Sequence, residues 1–321
     1  MNPRHFLLVV SLGLAAGLCA TSASAQQLFR IGTGGLSGSY YPIGQLIATA
    51  VTQPGRLVVS AQASNGSVAN VTAVAGGALE SGFSQSDIAA WAQQGTGLYQ
   101  GRAGAPTLRL IANLYPEAVH LIARRGAGVR TVADLRGKRV GMDEAGSGTL
   151  VHARLILAAW NIKETELRPE YIKAGPAIER MKAGEIDALF FVGGVPSAAV
   201  SELATSAPGI DLVPIDGAAA QGLRMASRYF SAATIGADAY PGVAGVQTLA
   251  VSAQWVTRED VDADTVYQLT RALFSEPARR ALAAGHPRGR LITAENAVRN
   301  AAIPFHPGAE RYYREAGLIR P

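Results

Sequence analysis

The residues that could do chemistry lie in five short stretches rich in Gly, Ser and Asn: Gly32–Ser39, Ser64–Ser67, Gln85–Asp87, Gly146–Thr149 and Gly193–Ser197. Each follows a short apolar run and precedes a segment of helical periodicity, so each reads as the turn from a strand into a helix. The first turn of a helix carries backbone N–H groups without intrahelical partners, at the positive end of the helix dipole. Several such starts converging on one crevice would hold an anion without help from Arg or Lys. Ser, Asn and Gly also simply cap helices, and one turn of this kind says no more than that; five in one chain favour convergence. The charge map agrees, because no Asp or Glu precedes Glu80 and residues 26–79 carry only Arg30 and Arg56. Such a segment would not repel a carboxylate, although a neutral buried region would have the same composition.

Other chemistries find little support. Gly32-x-Gly34 is followed by Ser37 where a dinucleotide fingerprint has its third Gly, and no acid follows about 20 residues later to hold a ribose. Gly137-Lys138-Arg139 lacks the remaining parts of a phosphate-binding P-loop, and no G-x-S-x-G elbow surrounds Ser37 or Ser147. An exported serine hydrolase using either serine therefore lacks a base at any motif-like spacing. His120, His152, His286 and His306 show no metal-ligand spacing, so neither a metal nor a cofactor is expected. His120, inside an apolar strand beside a Pro, reads as a structural or hinge residue. Asp143-Glu144 reads as a solvent-facing turn, and Tyr40-Tyr41 either caps a pocket or packs between domains. No Lys/Arg stripe with interleaved aromatics points to nucleic acid.

The elements that must position these turns alternate between strand and helix, which argues for an α/β architecture. Strands are expected at Leu28–Gly32, Leu57–Ser60, around Phe83, at Leu108–Leu114, at Val119–Ala123 after a Tyr115-Pro116 break, at Arg139–Met142, at Ile186–Val192 and at Leu249–Val256. Ile43, Leu46, Ile47, Ala50 and Val51 mark one helix face. Further helices are expected over Val68–Ala75, from about Ile88, after Thr149, around Ile178 and Met181, and at Val266–Leu273.

The 321 residues are 48% hydrophobic and 17% charged, enough for two buried cores and too apolar for a mainly disordered chain. Only 4 of the 29 basic residues are Lys, so the excess of positive charge reflects an Arg-rich bias and points to no particular partner. Arg4 and His5, the apolar run Phe6–Cys19 and Ala23-Ser24-Ala25 have the order of a secretory signal. The apolar run is short for a membrane anchor, and Leu18 before Cys19 is large for a lipoprotein signal. Removal of residues 1–25 takes away Cys19, the single cysteine, and leaves no thiol chemistry.

Taken in order, the motifs resemble the TAXI family of TRAP-transporter solute receptors over nearly the whole chain after residue 25. The matching stretches are Gly32-Thr33-Gly34-Gly35 with Tyr40-Tyr41-Pro42, Asn65-Gly66-Ser67-Val68, Gln85-Ser86-Asp87, Leu114–His120, Gly146-Ser147-Gly148-Thr149, Phe190–Pro196, Tyr240-Pro241-Gly242 and His306–Tyr313. Ala63-Ser64-Asn65 and Asp143-Glu144 depart from the family pattern. The resemblance implies an α/β, two-lobed type II periplasmic-binding-protein fold, each lobe a mixed sheet flanked by helices. The expected division is a signal peptide at 1–25, lobe 1 at 26–118 plus 252–321, and lobe 2 at 119–251. It also implies a monomeric, non-enzymatic periplasmic receptor that closes on a small anionic solute such as glutamate, glutamine or a dicarboxylate. The receptor would deliver that solute to TRAP membrane permease subunits; an ABC importer or a sensor kinase is the alternative partner. The expected solute contacts are Gly35, Ser37, Tyr40, Asn65, Ser67, Gln85, Ser86, Ser147, Gly148, Thr149, Gly193 and Gly194. Amino-terminal sequencing of exported protein should begin at Gln26, and an intact Met1 form held in the inner membrane would contradict the signal assignment.

Overall fold

The computed structural model describes residues 26–320, so the expected export segment lies outside the described residues. The first half of the chain runs β1 (Gln27–Gly32), α1 (Tyr40–Val51), β2 (Leu57–Gln62), α2 (Ser67–Ala75), β3 (Ser81–Gln85), α3 (Ser86–Gln94), β4 (Leu108–Arg124), β5 (Arg139–Gly141) and α4 (Gly148–Ala159). It continues with β6 (Arg168–Glu170), α5 (Ala174–Lys182), β7 (Ala188–Gly193), α6 (Ala198–Thr205), β8 (Ile210–Val213), α7 (Gly217–Ala226) and β9 (Ser231–Ile235). The last part is β10 (Val246–Arg258), α8 (Ala263–Leu273), α9 (Glu276–Gly285), α10 (Ala294–Ala297) and α11 (Pro307–Glu315).

All ten strands join one sheet, ordered β2-β1-β3-β10-β4-β7-β5-β6, with β8 also on β4 and β9 also on β10. Pairing is parallel at the two ends, β1 with β2 and β3, and β5 with β6 and β7. It is antiparallel through the middle, where β10 meets β3 and β4, and β4 meets β7. Two apolar clusters draw their buried members from residues 29–115 and 253–313, and two others from residues 118–251. Strands β4 and β10 are the members shared by both sets. Tyr115 and Ala253 pack in the first, and Val119 and Val251 in the second.

Strand β4 corrects the sequence reading, which breaks it at Tyr115-Pro116. It runs unbroken for 17 residues. Pro116 faces Ser252 of β10, while pairing with β7 starts only at Ala118. Pro116 is exposed, and no β7 residue pairs with it, the position at which a strand tolerates a proline. The helices of the first half also start earlier than their apolar periodicity suggests, α1 at Tyr40 and α3 at Ser86 rather than near Ile88. α6 follows the Gly193–Ser197 turn as expected, whereas β6, β8, β9 and α7 have no counterpart in the sequence reading; short strands and an Ala-rich helix give weak periodic signals.

The helix faces follow from spacing. Ile43, Ile47 and Val51, four residues apart on α1, are fully buried against Phe29 and Ile31 of β1. Beneath the carboxyl ends of β1 and β3 lies Asn70 of α2, fully buried. Its Nδ2 donates to the carbonyls of Gly32 at 3.0 Å, Thr33 at 2.6 Å and Phe83 at 2.8 Å. A Cβ on Gly32 would lie 2.6 Å from the Asn70 side-chain oxygen, and one on Gly82 would lie 2.9 Å from its Cβ, so both neighbours must be small. Asn70→Ala takes this donor from the Gly32 and Phe83 carbonyls, while Thr33 keeps Ser64 Oγ, and should cost about 2 kcal/mol or more in urea unfolding. An unchanged midpoint would contradict that role.

Candidate functional site

At the carboxyl ends of β1, β3, β5 and β7 the turns enclose a cleft of about 410 Å³. Its walls contain the starts of five helices: Ser39-Tyr40 of α1, Gly66-Ser67 of α2, Gln85 at α3, Ser147-Gly148-Thr149 at α4 and Lys173-Ala174-Gly175 at α5. This is where ligands gather on open α/β sheets, because strand ends and helix starts meet there.

Local chemistry fixes each turn. Thr33 donates through its N–H and its hydroxyl to the Gln62 carbonyl, at 2.9 and 2.7 Å, and Ser64 Oγ donates to the Thr33 carbonyl at 3.0 Å. Gly66 has φ of 105°, a left-handed conformation that suits glycine, and its N–H donates to Ser64 Oγ. Opposite, Ser147 caps α4 by accepting from the Leu150 N–H at 3.1 Å. The two walls touch: Asn65 Nδ2 donates to the Ala145 carbonyl at 3.1 Å and the Ala69 N–H to the Gly146 carbonyl at 3.0 Å. A Cβ on Gly148 would lie 1.7 Å from Gln85 Oε1, so a side chain there would push the Gln85 amide out of its place in the cleft. Deeper down, His152 Nε2 of α4 and Asp87 Oδ2 of α3, both fully buried, meet at 2.7 Å.

Of the residues expected to touch a solute, Gly35, Ser37, Tyr40, Asn65, Ser67, Gln85, Ser147, Gly148 and Thr149 line the cleft. Ser86, Gly193 and Gly194 do not. Ser86 Oγ accepts from the Ser252 N–H at 3.3 Å, and the Gly194 N–H is spent on Ser39 Oγ at 3.0 Å. A Cβ on Gly193 would press on the Phe191 ring, and Phe191 and Val192 form that wall instead. The Gly193–Ser197 turn therefore stays outside the cleft. Its place is taken by the turn at Lys173–Pro176, which the sequence gives no Ser/Asn signature to mark.

Sequence reasoning also missed the cleft's ionisable groups. Asp143 and Glu144 line it rather than facing solvent, and Lys173 reaches Glu144 at 3.2 Å. Asp143 is half-buried with φ of 66°; burial raises its carboxyl to about 6, partly offset by the Glu144 N–H donating to it. Glu117, on the crossing strand β4, is only 2% exposed. The Tyr40 hydroxyl donates to its Oε2 at 2.9 Å. Burial raises the Glu117 carboxyl to about 8, hydrogen bonds from Tyr40 and Gln85 hold it down in part, and the Asp87 charge pushes it up. His120 is not among the cleft residues. Its Nδ1 meets the Ala118 carbonyl at 3.0 Å and its Nε2 the Tyr240 hydroxyl at 2.8 Å, and burial lowers it to about 4, so the ring is neutral. Among the described residues no three His, Cys, Asp or Glu side chains gather as a metal site.

A family model, the NMT1-like family, matches residues 31–317. The chain belongs to the NMT1-like family. Solved structures show the fold at low identity. The alkanesulfonate-binding protein SsuA from Xanthomonas axonopodis pv. citri, bound to MOPS, is 18% identical with a TM-score of 0.50, covering 93% of this chain and 86% of its own. A protein from Bordetella bronchiseptica RB50 is 17% identical with a TM-score of 0.54, over 92% and 85% of the two chains. A periplasmic transporter is 13% identical with a TM-score of 0.52, over 81% and 87%. The NMT1-like chain thus has the two-lobed α/β fold of these neighbours.

The two raised carboxyls make stability depend on pH. A carboxyl held above its unfolded value contributes fully below that value and loses its contribution as pH rises through the folded one. For Glu117 the window runs from about 4.5 to about 8, and for Asp143 from about 3.8 to about 6. Asp187 and Glu80, held low by Arg139 and Arg30, have finished titrating below this range. Urea midpoints should therefore fall between pH 6 and 9 in wild type and fall less in Glu117→Gln; parallel declines would contradict the Glu117 assignment.

Proposed function

We propose that this chain is an extracytoplasmic receptor that closes on a small anionic solute and hands it to a membrane permease. The single observation that supports this most is the meeting of five helix starts around one cleft. Their free N–H groups and dipoles supply donors for a carboxylate, phosphate or sulfonate without an Arg. The solute would lie against Gly148 and Thr149 on one side and Gly35, Ser37, Asn65, Ser67 and Gln85 on the other, with Tyr40 at the floor. Lys173 adds a cation to the wall.

The resemblance to TAXI receptors favours glutamate, glutamine or a related dicarboxylate as the solute and a TRAP permease as the recipient. The neighbour bound to MOPS makes an alkanesulfonate the natural comparison ligand. Closure would pivot residues 26–118 plus 252–321 against 119–251, with β4 and β10 as the crossings. The separate sets of apolar clusters support that division.

Calorimetry with glutamate, glutamine, 2-oxoglutarate and an alkanesulfonate tests the reading. Thr149→Ala removes a hydroxyl donor to a charged group, worth roughly 1.5–3 kcal/mol, and should weaken binding about ten-fold or more. Ser147→Ala should instead lose about 1 kcal/mol of stability, since its hydroxyl caps α4. If Thr149→Ala binds as tightly as wild type, the α4 start does not hold the solute. If no anion of the set binds, the small-anion reading fails.

A further inference from the structure

Glu117 is the buried acid among the residues that line this cleft. It stands at the floor, on the strand that crosses between the two halves, and its Oε2 is occupied by the Tyr40 hydroxyl. The Gln85 amide is its other hydrogen-bond partner, and the side chain lines the cavity. Among the described residues no Lys or Arg pairs with it. Lys173, the cation of the cleft, is engaged with Glu144, and Arg288 lies beside Tyr115 rather than Glu117. The groups that face Glu117 are Tyr40 of α1, Tyr115 of its own strand, Gln85, and Asp87 of α3 with its partner His152 of α4. Asp143 and Glu144 add further negative charge across the cavity. A buried carboxyl among acids, tyrosines and an amide has no cation to compensate an ionised form.

We propose that Glu117 is a specificity-determining residue that carries a proton in the resting receptor and donates it as a hydrogen bond to the anionic solute. This rests on the small-anion reading of the cleft and adds a linkage to it. The acid form supplies a neutral donor where an ionised carboxylate would repel the solute. Binding then favours the protonated state further, so at alkaline pH the solute brings a proton with it, and loss of that proton favours release. The raised carboxyl, about 8, places the linkage in an accessible range. A purely structural buried acid would make stability depend on pH and leave solute affinity alone.

Calorimetric titrations with glutamate, glutamine and 2-oxoglutarate from pH 6 to 9 read the linkage directly. The expected result for the solute that binds is a constant affinity up to about pH 7, declining toward ten-fold per pH unit above about pH 8. Repeating the titration at pH 8.5 in buffers of different ionisation enthalpy should show proton uptake approaching one per solute. Glu117→Gln cannot ionise and should bind with a flat profile. Tyr40→Phe removes a bond that favours the ionised form and should move the inflection to higher pH, which keeps the test open if Glu117→Gln folds poorly. A flat wild-type profile, or affinity that rises through pH 8, overturns the proposal. Infrared spectra of the solute-free protein separate this from the small-anion reading. A protonated-carboxyl band that Glu117→Gln lacks should be present at pH 7 and lost above pH 8. If none of the probes binds, the small-anion reading falls, and absence of that band at pH 7 overturns the proposal for Glu117 by itself.

Discussion

The structure around the cleft depends on one buried amide. Asn70 joins the carboxyl ends of β1 and β3 by donating to the carbonyls of Gly32, Thr33 and Phe83. Backbone groups buried without partners are costly, and strand ends beneath a cavity are where partners run out. By closing these ends from below, Asn70 lets the two following turns open upward, one toward α1 and the other toward α3. The demand for small residues at Gly32 and Gly82 follows from its position, and so does the path of the Gly32–Ser39 loop over the cleft. On the other wall the Ser147 cap and the glycine at 148 do the equivalent work, bringing the start of α4 against Gln85.

The walls are held together by polar contacts that reach from one end of the sheet to the other. Asn65 and Ala69 bond to Ala145 and Gly146 at the rim, and Asp87 meets His152 below. At the back, His120, Tyr240 and the Ser197 N–H form a chain across the loop after β7, and the neutral imidazole suits its buried place. The cleft between rim and back combines two kinds of group. Helix starts offer many fixed donors, while Glu117, Asp143 and Glu144 bring acid. An anionic solute is compatible with that mixture because burial keeps Glu117 neutral and Lys173 offsets Glu144.

Much of this was legible in the sequence where a local signal exists. The Gly/Ser turns at 32–39, 64–67, 85–87 and 146–149 announce helix starts, and all four meet at the cleft. The turn at 193–197 carries the same signature yet spends its N–H groups on Ser39 and Tyr240, so composition alone cannot say which way a turn faces. Lys173–Pro176, lacking that signature, passed unnoticed. Glu117 and the Asp143-Glu144 pair were hidden for a different reason. Their meaning comes from burial beside Tyr40 and across from Gly148, contacts between segments far apart in the chain. Pro116 misled because a proline reads as a break unless the neighbouring strand is known to begin two residues later.

A crystal structure grown with the solute that binds, at pH 7, tests the central claim most directly. The expected result places the anionic group within hydrogen-bond distance of the N–H groups of Gly148 and Thr149 or of Ala174 and Gly175, with a second polar atom of the solute on Glu117. The solute lying elsewhere, such as in the separate groove between Pro116 and Arg288, or with its anionic group away from every helix start, would contradict it.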